Sequence, residues 1–163
     1  MIKNEFFTKT AIIMKAKRIL AVYGLLLRSK FNKVTDDVKT KIFFIMRVLK
    51  PHAVELDDSS RQLSEMLRPE GYEENVARWN ETREKLNLGV KDELPMTKQD
   101  FVEFTYRVMK PYNKKVDDAL KKLTEKEVDL EFEPLTTEEQ LQLINSNDWD
   151  GSAVELLDEI TAL

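Results

Sequence analysis

The sequence contains no cysteine. That excludes a disulfide framework, a thiolate metal site and a thiol nucleophile together. Only four glycines occur in 163 residues, while 34% of the chain is charged and rich in Lys and Glu, a balance that favours helices over sheets. There is one histidine, His52. It falls on an apolar helical stripe beside a proline and reads as a structural residue, because a base or ligand would need convergent partners. No P-loop, Rossmann fingerprint, GxSxG or HExxH motif is present. The apolar run Ile19–Leu27 is nine residues long, too short to span a bilayer, and Arg28, Ser29 and Lys30 follow where a signal peptide would place small cleavage-site residues. No targeting segment or membrane anchor is therefore expected, and the cytoplasm is the default compartment.

Charge is distributed unevenly. Residues 1–51 carry 12 Lys/Arg and 3 Asp/Glu, a net of +9, whereas residues 52–163 carry 14 and 27, a net of −13. The last 37 residues hold 11 acids and no Lys or Arg. A basic front and an acidic end can attract each other within one chain or between two copies.

The length fits one domain, or two small lobes sharing a core, and a chain of this size can bury about two thirds of its unfolded surface without a metal or disulfide. Apolar spacings of four and three (Ile12, Ala16, Ile19, Tyr23, Leu26) predict a first helix over Glu5–Ser29. After the turn "KFNKVT", Thr35 suits an N-cap, with Asp36 and Asp37 at the positive end of the next helix dipole. A second helix is expected from Asp36 towards Leu67. Its rhythm keeps phase across Pro51, which argues for a kinked continuous rod over a break. "RPEGY" ends it. A polar third helix is predicted over Glu73–Leu86 with Gly89 at its C-terminal cap. A fourth starts after Thr97 and runs to about Leu123 with Pro111 inside.

The two proline helices resemble each other. At an offset of sixty, residues 44–65 and 104–125 agree at nine of twenty-two positions, including Phe44/Phe104, Arg47/Arg107 and Pro51/Pro111. Two equivalent bent rods sharing one core are the expectation. Val128, Leu130 and Phe132 then alternate with acids over residues 127–133, a period-two pattern that predicts a strand with one apolar face. Its nearby partner in sequence is Val90–Met96, and another copy of the chain is the alternative. Beyond Pro134, Thr136 with Glu139 and Ser152 with Glu155 read as capping boxes for short helices over Thr137–Ile144 and Ala153–Thr161. The expected fold is mainly α: a bundle of long, kinked, antiparallel helices over residues 1–133, with 69–97 as an insertion-like segment, a short β-ribbon, and an acidic arm over 134–163.

No constellation of residues points to catalysis, a cofactor or a metal. "NSNDWDGSAVELLDE" imitates a calcium loop, but its twelfth position is Leu157, where a bidentate glutamate is required. The acid pairs Asp57/Asp58, Asp117/Asp118 and Glu138/Glu139 are adjacent on helices and do not converge. Two surfaces stand out. Lys15, Lys17, Arg18, Arg28 and Lys30 are candidates for phosphate contacts by nucleic acid. The acidic C-terminal helix, with Trp149, Val154, Leu156, Leu157 and Ile160, is the candidate for docking into a protein partner. The competing reading of both is that they neutralise each other.

Two islands, "FFIMRVLKPHAVELDDSSRQLSEML" and "YNKKVDDALKKLTEKEVDLEFEPL", cover about a third of the chain. They resemble a pattern in short helical proteins of unknown function encoded by bacteriophages and prophages. In that pattern a helix with a mid-helix proline is followed by a variable insertion, then a late helix leading into an acidic "EVxL" segment. The resemblance implies an accessory or assembly role exercised through protein contacts, and carries no catalytic residues. The reading is a non-enzymatic interaction protein, self-associating or binding another protein, with a nucleic-acid-binding regulator as the alternative.

Overall fold

The computed structural model describes residues 9–163. The chain is mainly helical with one small sheet: β1 Thr10–Lys15, α1 Ala16–Arg28, α2 Asp36–Leu67, α3 Tyr72–Asn87, α4 Lys98–Glu103, a π-helical segment Phe104–Met109, α5 Lys110–Thr124, β2 Glu127–Phe132, α6 Thr137–Ser146 and α7 Gly151–Asp158. Two compact units result. One holds the chain up to Ser59 together with Lys122–Leu163, and the other is Ser60–Lys121.

The first unit corrects the expected start of helix one. The part of that expectation before Lys9 lies outside the described residues, and Thr10–Lys15 is a strand. It pairs antiparallel with β2, placing Thr10 opposite Phe132, Ile12 opposite Leu130 and Met14 opposite Val128. Consecutive Ile12, Ile13 and Met14 satisfy a helical and a strand period alike, and β-branched residues suit a pleated surface. Pairing decides between them, because β2 needs a partner for its backbone groups and for Leu130 and Phe132, both of which are buried. The segment Val90–Met96, expected as the partner of β2, is not a strand. At the junction with α1, the Ala16 amide donates to the Lys126 carbonyl at 2.9 Å.

This unit's core combines Ile19, Val22 and Leu26 of α1, Val38, Ile42, Ile45 and Leu49 of α2, both strands, and Leu135, Leu143, Leu157 and Ile160. The C-terminal arm is thus part of the core. Leu135 is fixed against Thr161 by a parallel bridge, its amide donating to the Ile160 carbonyl and its carbonyl accepting from the Ala162 amide, both at 2.8 Å. Buried Gln140 donates to Asp158 (2.8 Å) and to Thr161 Oγ1 (3.1 Å). The loop after α1 is clasped by α6: the Asn147 side chain accepts from the Lys30 amide and donates to its carbonyl, and Ser146 Oγ accepts from the Lys33 amide.

The expected Thr136/Glu139 capping box is present. The second is replaced by a simpler cap, in which Asp150 accepts from the backbone amides of Ser152 and Ala153 and from the Ser152 hydroxyl. One carboxylate two residues earlier reaches the first free amides, so Ser152 is not needed as the cap.

α2 is helical throughout, Pro51 included. The second proline helix differs. Lys110 N–H bonds to the Thr105 carbonyl, five residues back, and the π-helical segment ends at Met109, two residues before Pro111. Widening the helix there accommodates a residue that has no N–H to donate and a ring that crowds the preceding turn. The prolines also lie in different units, and no residue of 98–124 belongs to the core cluster that α2 helps to build. The expectation of two equivalent rods around one core is therefore overturned. Sequence likeness records shared helical residue types and gives no shared packing role.

In the second unit, Trp79 stacks on Phe101 with ring centroids 5.3 Å apart and donates from Nε1 to Thr105 Oγ1 at 2.8 Å. Tyr72 packs between Phe104 and Tyr112, and the Tyr112 hydroxyl donates to the Ser64 carbonyl. α3 ends in a Schellman motif: Gly89, at φ +76°, bonds to the Leu86 carbonyl and Val90 to that of Lys85. The following segment is strapped to α3 by Arg78 on the Pro95 carbonyl, Lys85 on the Glu93 carbonyl, and buried Thr82 accepting from the Met96 amide.

Candidate interaction surface

The basic front meets the acidic end within the first unit. Glu125 accepts from Lys15 at 2.7 Å and from Lys17 at 2.6 Å. These two hydrogen bonds hold its carboxyl down at about 2, against an ordinary 4.5, and the Lys15 ammonium is pushed up in return. Arg18 lies 3.6 Å from Glu159 and 3.9 Å from Glu155 on the C-terminal segment. Three of the five proposed phosphate contacts therefore already face carboxylates. Arg28 and Lys30 are exposed and have no ion-pair partner among the described residues. Further along, half-buried Lys41 bridges Glu139 (2.7 Å) and Glu133 (3.4 Å). Burial pushes the Glu139 carboxyl up, but the Lys41 ammonium and the Thr136 backbone amide outweigh it and leave it below the ordinary value.

The C-terminal candidates are placed differently from the sequence expectation. Leu157 and Ile160 are fully buried in the unit's own core, with Trp149 and Leu156 packed against it, and Val154 is half-buried. An arm without Lys or Arg docks on its own chain because α1 supplies both an apolar stripe and the opposite charge. No exposed apolar side of that arm remains for these five residues to offer to a partner.

Exposed large apolar side chains occur on several elements, and one group of them lies on α2, outside the two surfaces expected from the sequence. Phe43 is 55% exposed, Phe44 52% and Val54 46%. The two rings meet edge to face, with centroids 5.9 Å apart, and the Arg47 guanidinium lies 5.9 Å from the centre of the Phe43 ring. Phe43, Arg47 and Val54 recur at helical spacing opposite the buried Ile42, Ile45 and Leu49. Phe44 lines an open groove of ≈ 650 Å³ bounded by the first half of α2 and by residues 131–133 and Glu139. The signal was present in the sequence as the doublet "FF" beside an already complete core stripe. Among the described residues, no set of three His, Asp or Glu side chains is arranged to hold a metal, and no helix is long and apolar enough to cross a membrane. The chain matches no family model, no curated protein and no solved structure.

Proposed function

We propose that this chain is a non-enzymatic helical interaction protein, an accessory or assembly factor of a phage or mobile element that works through contacts with protein in the host cytoplasm or the virion. The observation that carries the reading is the exposed aromatic pair Phe43–Phe44 with Arg47 on a helix whose other side gives Val38, Ile42, Ile45 and Leu49 to the core. Two exposed neighbouring Phe rings leave apolar area in water that a partner would cover, and clustered aromatics with Arg are the composition of interface centres. The resemblance of residues 43–67 and 112–135 to phage-encoded helical proteins supports the setting. Nucleic-acid binding is the second reading, and the engagement of Lys15, Lys17 and Arg18 by the chain's own acids supports that order.

A photo-crosslinking phenylalanine analogue at position 44, expressed in cells, tests this. A discrete protein adduct that is missing when the same analogue replaces exposed Lys98 supports the reading. Absence of any position-44 adduct, or salt-sensitive retention of the chain on duplex DNA that Arg28→Ala and Lys30→Ala remove, counts against it.

A further inference from the structure

We propose that the outer side of α1 is a second docking surface, and that its partner is an acidic amphipathic helix of another protein, crossing α1 at Gly24. This adds a site to the interaction reading above and does not depend on Phe43 or Phe44. α1 buries Ala16, Ile19, Val22, Leu25 and Leu26. Leu20, Gly24 and Leu27, at spacings of four and three, fall on the opposite side. Leu20 is 39% exposed and Leu27 59%. Gly24 singles this side out. It stands inside a 13-residue helix, where glycine is less favourable than alanine. The chain's own packing does not require it. A Cβ there would meet, among the described residues beyond the local backbone, only Arg28 Nη1, the end of a flexible side chain, at an ordinary 3.5 Å. A gap between two projecting leucines does serve a crossing helix, which can approach closely at the glycine and seat its ridge between Leu20 and Leu27.

Charge defines the partner. From Lys9 to Thr35 the chain has seven Lys/Arg and no Asp or Glu. Lys17 and Arg28 flank the leucine stripe, and Lys30 and Lys33 follow in the loop. Lys17 faces Glu125, but Arg28, Lys30 and Lys33 are exposed with no ion-pair partner among the described residues. α1 already holds one acidic helix. α7 lies against it, with Leu157 in the common core and with Glu155 and Glu159 turned to Arg18. The outer side repeats that chemistry, apolar side chains with cations alongside, and leaves it unanswered. A lipid surface has no use for a gap at Gly24, and nucleic acid would set Leu20 and Leu27 against phosphates, so a protein helix is the occupant that fits. The face is one helix wide, which sets a modest area and an affinity on the order of micromolar.

Fluorescence anisotropy of a labelled synthetic peptide on the full chain reads this directly. The peptide has about 18 residues, long enough to form a helix, with leucine on one face and glutamate on the other. The expected result is binding on the order of micromolar that weakens with added salt, and none by the same peptide with lysine in place of glutamate. Gly24→Ala should raise the urea midpoint of the chain by about 0.6 M and at the same time weaken peptide binding roughly tenfold, because the added methyl fills the crossing point. A variant that is more stable and binds less has not lost binding through misfolding. Leu27→Glu should remove binding, and Phe44→Glu should leave it unchanged. Absence of peptide binding up to about 200 µM overturns the inference, whether or not phosphatidylserine vesicles or duplex DNA bind instead. Binding that Gly24→Ala leaves intact, or that the lysine peptide reproduces, overturns it too. In each of these cases a position-44 protein adduct still upholds the broader interaction reading.

Discussion

Replacing Leu143 by Ala should destabilise the first unit strongly, whereas the same replacement at Leu141, two residues away on the same helix, should not. Leu143 is fully buried in the core, and Leu141 is 49% exposed. Both changes have the same helix propensity cost, so their difference isolates burial. Leu→Ala removes three carbon groups, which at about 0.8 kcal/mol each is a transfer loss of about 2.4 kcal/mol. The cavity left in the core cluster, where the surroundings close only in part, brings the cost to about 3 kcal/mol, inside the roughly 2–5 kcal/mol range for buried leucines. At Leu141 the expected change is below about 0.5 kcal/mol beyond the shared propensity term. The chain has one tryptophan in each unit, Trp79 and Trp149, so a Trp79→Phe background lets Trp149 fluorescence follow the first unit alone. In urea, with a slope of about 1.5 kcal/mol per molar, the midpoint should fall by about 2 M for Leu143→Ala. A shift under about 0.3 M at Leu143, or equal shifts at both positions, would refute the placement of α6 in the core and return the C-terminal segment to a free arm.

Two further outcomes test other parts of the structure. The Glu125 carboxyl is lowered on folding, so its contribution is complete above its unfolded value near 4.5 and is lost as pH falls from there through about 2. Carbon-detected NMR titration should place its midpoint well under the ordinary 4.5, and Lys15→Gln/Lys17→Gln should move it back up. An unshifted Glu125 in the unmodified chain would contradict the double clamp. In the second unit, Thr82→Val should leave the buried Met96 amide without an acceptor, at a cost of roughly 1–3 kcal/mol, and should speed hydrogen exchange at Met96 selectively; unchanged exchange there would contradict the strap between α3 and residues 93–96.

Local interactions make several elements legible in the sequence. Thr97 and Thr136 accept from backbone amides three residues on, Gly89 closes α3 in the left-handed region that suits a residue without Cβ, and α2 keeps its apolar phase through Pro51. All of these bonds span five residues or fewer. The pattern Val128–Leu130–Phe132 similarly marked β2 as a strand with one buried face. The partner of that strand was not legible, since β1 lies more than a hundred residues away and its Ile12–Ile13–Met14 run fits two periods.

The candidate surface divides the same way. From the sequence alone, α2 has one regular stripe of Val38, Ile42, Ile45 and Leu49 and a second apolar set at Phe43, Phe44 and Val54. Residue spacing determines that these sets lie on different sides of one helix, and that the acidic tail of the chain must find positive charge somewhere. The regular stripe marked the side of α2 that is covered; only the tertiary structure decided that the tail's Leu143, Leu157 and Ile160 share its core. The reason is physical: helix geometry and capping act over a few bonds and are written in neighbouring residues, whereas burial depends on which distant surfaces compete for the same apolar stripe.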